Sequence, residues 1–181
     1  MALTKFNKFM YKYFKKPFDR LKRKLDDSMG VGSVTLTGEL EVKHIKDNGM
    51  VIDMGVIGRK LVTTAFVNDL VQELVSSTGD IANYYWHGSG SSTASENNAH
   101  TALTTEVGTR STGTQTTGAS ANIYETVGTC TYSTAGQIGE HGVFNSSSSG
   151  TLMDRHAFAA INVSSGDSIQ FTYRLTCNAE T

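Results

Sequence analysis

Ile169, Phe171, Tyr173 and Leu175 alternate with Gln170, Thr172 and Arg174, and this period of two narrows the folds open to the chain more than any other feature. Successive side chains of an extended strand point to opposite faces, so the four apolar residues share one face that asks for burial. Val34, Leu36, Leu40 and Val42 alternate in the same way with Thr35, Thr37, Glu39, Glu41 and Lys43. Asp47-Asn48-Gly49 follows as a turn in which Gly49 is free to take positive φ, and Met50 to Ile52 return as the second strand of a hairpin. Further strands are expected at Ile81 to His87, Ile123 to Tyr132, His141 to Asn145, Arg155 to Val163 and Ser168 to Cys177, with Gly/Ser/Thr-rich turns between them. Gly88 to His100 reads as a long polar loop. Thr109 to Ser120 reads equally as a flexible loop or as the start of an extended hairpin.

Helical spacing in this body is confined to one segment. Phe66, Val67, Leu70, Val71, Leu74 and Val75 form an apolar stripe behind Thr63 or Thr64, either of which can cap the helix. Many short strands and one core helix predict a mainly β protein, an antiparallel β-sandwich or barrel-like domain over residues 33–181. Gly142-Val143-Phe144, Phe158, Ile161, Ile169, Phe171, Tyr173 and Leu175 are the expected core positions.

The near-neutral net charge of −1 hides an asymmetry. Residues 1–30 hold nine Lys/Arg and three Asp, net +6, whereas the remainder holds seven Lys/Arg against fourteen Asp/Glu, net −7. Within residues 1–32, Phe6, Phe9, Met10, Tyr13 and Phe14 recur at intervals of three and four among Lys5, Lys8, Lys12, Lys15 and Lys16. That pattern predicts an amphipathic helical arm, interrupted at Pro17, resumed to about Asp26 and hinged at Gly30 and Gly32. Its aromatic stripe is too apolar for a purely electrostatic nucleic-acid arm, so no specific nucleic-acid binding is expected. Docking on a protein partner through Phe6, Phe9, Lys12, Tyr13, Phe14, Lys15 and Lys16 is favoured over a membrane-surface role, with packing on the chain's own acidic body as the plain alternative. No apolar run approaches the ~18 residues of a membrane span, and lysines interrupt the start too often for a signal-peptide core. Synthesis in a cytoplasm is the corresponding expectation, and Cys130 and Cys177 are expected as buried thiols within strands.

No catalytic constellation is legible. The chain lacks a Walker pattern, Gly88-Ser89-Gly90 lacks the third glycine of a dinucleotide turn, and no serine has nucleophile-elbow spacing. His44, His87, His100, His141 and His156 are dispersed, with no metal-ligand spacing; His141, after Glu140, reads as a polar residue near a strand start. Nothing in the sequence brings Asp53 and Asp154 together as an acid/base pair. No enzyme activity and no cofactor are therefore expected. Tyr85 and Trp86 offer a stacking platform for a sugar, against the blander reading that alternate members of the Tyr84-Tyr85-Trp86 run fill the core.

Tyr84-Tyr85-Trp86-His87-Gly88-Ser89-Gly90, followed by a small polar loop, Thr101-Ala102-Leu103-Thr104-Thr105-Glu106-Val107 and Arg110, resembles a pattern of small β-rich virion proteins of tailed bacteriophages. Ile138-Gly139-Glu140-His141-Gly142-Val143-Phe144-Asn145, Gly150 to Phe158 and Gly166 to Tyr173 continue the likeness, which spans roughly residues 34–178 and leaves the arm outside it. The resemblance implies a structural component of the phage virion, made in the bacterial host cytoplasm. It would bind capsid or connector and tail subunits as an oligomer. Alternative functions are a fibre-associated glycan or receptor-binding module using Tyr85 and Trp86, and a β-sandwich hydrolase whose site is assembled only in space.

Overall fold

The computed structural model describes residues 33–60, 62–76 and 81–179. The chain divides into two compact units, of which the one formed by Thr35–Asn178 holds the β-rich body. The expected arm over residues 1–32 lies outside the described residues.

The alternating segment at the start of the body forms β1 (Val34–Ile45), and the Asp47-Asn48-Gly49 turn returns it as β2 (Val51–Lys60) in antiparallel register. Gly49 has φ 82° and donates its N–H to the Lys46 carbonyl at 2.9 Å, as this turn requires. Helix α1 (Thr64–Ser76) is capped by Thr63, whose hydroxyl oxygen accepts the Phe66 N–H at 3.1 Å. The same hydroxyl donates to the Leu152 carbonyl, and the Thr63 N–H donates to the Met153 carbonyl at 2.9 Å. The cap therefore also ties the helix to a strand. A short 3₁₀ turn (Ile81–Asn83) leads to β3 (Trp86–Gly90), then come β4 (Glu106–Thr112), β5 (Thr114–Thr117), β6 (Ile123–Thr131), β7 (Gly136–Phe144), β8 (Leu152–Val163) and β9 (Ser168–Ala179).

These strands make two antiparallel sheets, with one α-helix among the described residues. Sheet A has the order β2-β1-β9-β6-β5 and sheet B the order β4-β3-β7-β8. The main core joins Leu40 and Val42 of β1 and Ile169, Phe171, Tyr173 and Leu175 of β9 to Ile138, Val143, Met153, Ile161 and Val163 of sheet B. The alternation that defines β9 thus buries the four residues it marks. Among the other expected core positions, Val143, Phe144 and Ile161 are buried, and Phe158 is half-buried against the cluster. Cys130 (β6) is buried and Cys177 (β9) half-buried, both as free thiols.

Several expectations are revised. Of the two readings of the 109–120 stretch the hairpin holds, since it completes β4 and forms β5, which pairs with β6; the chain crosses from sheet B to sheet A at Gly113, whose N–H donates to the Tyr85 carbonyl at 2.7 Å. The strand expected from Ile81 begins only at Trp86 and runs through Gly88-Ser89-Gly90, residues expected in a loop; all of His87 to Gly90 are buried. The glycines fit there because a Cβ on Gly88 would meet Glu106, Phe144 and Leu103, and one on Gly90 would collide with Glu140 and the Thr105 carbonyl. Strands β7 and β8 begin earlier than expected. The apolar stripe of α1 is not one buried face: Phe66 is buried and Leu70 half-buried, whereas Val67, Val71, Leu74 and Val75 are exposed, Leu74 at 82%. At ~100° per residue the two groups point to different flanks, and the body covers only one. Among the described residues, no helix is long and apolar enough to cross a membrane.

Candidate functional site

Phe6, Phe9, Lys12, Tyr13, Phe14, Lys15 and Lys16 lie outside the described residues. Tyr85 and Trp86 are both half-buried, with ring centroids 5.4 Å apart and planes inclined by 33°, so their faces do not form one flat platform. Trp86 packs on a small cluster of Leu103, Phe144 and Leu152, while Tyr84 is fully buried and meets Phe66 edge-on at 5.0 Å.

The chemistry-bearing residues gather on the two faces of sheet B. Facing sheet A, β3, β7 and β8 bury His87, His141, Asp154 and His156 at 2% exposure or less. His87 Nδ1 and His141 Nε2 are 3.0 Å apart, and His87 Nε2 is 3.1 Å from the Thr126 hydroxyl of β6. His141 stacks on Phe171 with centroids 4.2 Å apart. Beside it, His156 Nδ1 lies 2.8 Å from Asp154 Oδ1 without hydrogen-bond alignment, and Tyr173 donates its hydroxyl to Asp154 Oδ2 at 3.2 Å. Glycines opposite make the room: a Cβ on Gly128 or Gly113 would strike His87, one on Gly58 would strike His156, and one on Gly38 would strike Asp154 and Tyr173. Burial, with no compensating carboxylate, lowers the His87 pKa to about 3. His141 is held well below the usual imidazole range by burial first and by His87 and His156 next. Thr126, His87 and His141 have the connectivity of a nucleophile, a base and an orienting group. Thr126 and His87 nevertheless expose no surface, so no substrate atom reaches them. Among the described residues no group of three or more His, Cys, Asp or Glu side chains is placed to hold a metal ion.

The opposite face of sheet B is closed by the 91–105 loop. Glu140 (β7) accepts the N–H groups of Thr104 and Thr105 at 3.0 and 2.7 Å and pairs with Arg155 (β8) at 2.7 Å; neither side chain is more than 1% exposed. Arg155 also donates to the Ala94 and Ser95 carbonyls, and Glu96 accepts the Ala157 N–H at 2.6 Å. Leu103 fills the space above Gly88 and Gly142. At the loop's end Arg110 pairs with Glu106 at 2.7 Å, lies 3.3 Å above the Phe144 ring centre and donates to the Ser146 and Ser149 carbonyls. Glu140, Arg155, Glu96 and Leu103 thus fasten this loop to the sheet, while Arg110 holds the 146–149 turn against β4.

A third cluster staples the β1–β2 turn to the β8–β9 turn. Asp167 accepts from the Ser164 and Asp47 N–H groups and from Lys46 at 3.0 Å, with His44 at 2.9 Å. The Ser164 N–H leads the contacts that hold this carboxyl well below the usual carboxylate range, so its contribution is complete above about pH 4 and is lost in stronger acid. Of the proposed acid/base pair, Asp154 sits in the interior while Asp53 is exposed on β2.

An apolar cavity of about 200 Å³ opens between α1 and the ends of β1 and β9, lined by Leu36, Phe66, Leu70, Met153, Leu175 and Cys177 among others. Sequence reading missed the histidine interior and the Glu140–Arg155 clamp because their members lie far apart in the chain, 54 residues for the bonded His87–His141 pair, and share no spacing. The signal that was present is the glycines, whose positions in β1, β2, β3 and β6 mark where bulky polar groups approach the backbone. Compared with known proteins, the chain matches no family model, no curated protein and no solved structure.

Proposed function

We propose that the chain is a structural component of a tailed-phage virion, acting as an oligomer bound to capsid or connector and tail subunits through its N-terminal arm, its polar loops and its apolar outer faces. The observation that carries this reading is the distribution of apolar surface. Val67, Val71, Leu74 and Val75 on α1 and Met50, Val51, Ile52, Met54 and Val56 at the β1–β2 hairpin are all between 39% and 82% exposed. Apolar exposure concentrated on neighbouring positions of two elements suits burial against other protein. The polar groups with chemical potential are, by contrast, sealed inside the sandwich, where they serve packing. Support also comes from the resemblance, whose residues build the loop-covered face of sheet B.

The test is mass spectrometry and imaging of purified particles. The protein is expected in many copies per particle, and deleting residues 1–30 is expected to leave a folded β body that no longer incorporates. Absence of the full-length protein from particles overturns the reading. The fibre-module alternative rests on the half-exposed Tyr85 and Trp86 rings. It predicts a carbohydrate-array signal lost in Tyr85→Ala, a cleaner probe than Trp86→Ala because Trp86 also packs on Phe144 and Leu152.

A further inference from the structure

We propose that the buried histidine seam is an acid-operated latch between the two sheets: shut while the His87–His141 pair holds no extra proton, and released when the pair is protonated. The inference rests on geometry. In the neutral pair one ring nitrogen donates and the other accepts, which satisfies the 3.0 Å contact. One added proton can keep that bond, because a charged imidazole still donates to a neutral one. The charge would nevertheless sit on rings no more than 1% exposed to solvent, with no carboxylate bonded to the pair. A second proton turns both facing nitrogens into donors, breaks the bond and sets two positive charges about 3 Å apart.

The surrounding groups offer little relief. From sheet A the pair is faced by Thr126, Gly128 and Cys130 of β6 and by Phe171 of β9, with Gly113 at the strand crossing and Tyr173 of β9 edge-on to the neighbouring His156. Cys130 is a neutral thiol, its pKa raised by burial first; it donates to the His87 carbonyl. Tyr173 stays protonated because burial, and then Asp154, push its pKa well above the usual phenol range. Tyr132, just past the end of β6, is occupied with Ser89. From sheet B, His156 adds a further potential cation, and Asp154 accepts the Tyr173 hydroxyl through Oδ2 while its Oδ1 stands 2.8 Å from His156 Nδ1 rather than against the pair. Glu140 and Arg155 neutralise one another on the sheet's other face. The nearest groups are thus neutral or already engaged.

The direction of the effect follows from linkage. In the unfolded or opened chain these imidazoles titrate near pH 6.5, while in the closed sandwich they resist protonation. Closure is therefore fully stable above about pH 6.5 and is lost as pH falls. Each histidine increases the open-to-closed ratio about tenfold per pH unit below that point.

The test is hydrogen exchange and denaturant unfolding of the full chain from pH 8 to pH 4.5, corrected for intrinsic exchange rates. Protection at β3, β6 and β7 is expected to be constant down to about pH 7 and to fall steeply below pH 6. His141→Gln, which keeps a hydrogen-bonding partner for His87, is expected to make the acid dependence shallower by about tenfold per pH unit. If that variant does not fold, nitrogen NMR of labelled imidazoles in the unsubstituted protein decides. Neutral rings for His87 and His141 in the folded state at pH 5.5 support the latch. Titration of either ring near pH 6.5 while the protein stays folded overturns it, as does an unchanged acid slope in His141→Gln.

Discussion

Sheet A and sheet B are built from similar numbers of strands, yet sheet A is wet on its outer face whereas the centre of sheet B, from His87 to Gly90, Ile138 to Phe144 and Leu152 to His156, is dry on both. On sheet A, Arg174 of β9 reaches Glu125 of β6 at 2.6 Å and Glu41 and Glu39 of β1 at 2.9 and 3.4 Å, a charged ladder across the solvent side of three strands. On sheet B the equivalent outer position is held by Glu140 and Arg155 under the 91–105 loop. An Arg–Glu contact exposed to water contributes little, because the ions are already well solvated. The same contact sealed from water is unforgiving, because removing one partner leaves the other charge buried. The two outer faces thus depend on different interactions, partly solvated ion pairs in one and a buried Glu140–Arg155 clamp in the other.

The largest loss that would sharpen this contrast is expected from Glu140→Ala. It strands the Arg155 guanidinium and leaves the Thr104 and Thr105 amides without their acceptor, at a cost of about 3–5 kcal/mol in denaturant unfolding. Hydrogen exchange should show the 91–105 loop losing protection first. If the loop remains protected and stability is unchanged, the clamp does not hold sheet B's outer face.

On the apolar side, Phe171→Ala removes a fully buried ring that stacks on His141, with an expected cost of about 3–5 kcal/mol. Here the whole sandwich should lose stability in one transition, without selective release of the loop. An unchanged melting temperature would contradict the placement of β9 in the core. The smallest effect is expected at Leu74→Ser, within about 0.5 kcal/mol by the same measurement, since Leu74 is 82% exposed. A large loss there would mean that the outer flank of α1 is covered in solution.

The contrast between the sheets also explains which strands were legible. β1, β6 and β9 face water on one side, so burial alternates along each, and their expected limits lie within one or two residues of the observed ones. Strand β3 from His87, β7 from Ile138 and β8 as far as His156 are covered on both sides. Burial runs unbroken from Ile138 to Phe144, and glycine, serine, histidine and glutamate replace the apolar alternation. A strand made of Trp-His-Gly-Ser-Gly reads as the beginning of a loop until the groups that need those glycines are known to lie above them. For α1 the spacing revealed the helix and its cap but not which of two apolar flanks the body would cover.

What the sequence by itself determined is the local grammar: the alternation of β1 and β9, the Asp47-Asn48-Gly49 turn, a threonine cap at position 63 or 64 and the mainly β character that follows from them. These depend on neighbours within a few residues, and φ/ψ preference and side-chain period act at that range. Only the tertiary structure decided that His87 meets His141, that Glu140 meets Arg155 and that Gly113 carries the chain from one sheet to the other. Such contacts pair residues from different strands, and their strength comes from the exclusion of water, a property of the assembled sandwich that no stretch of sequence contains.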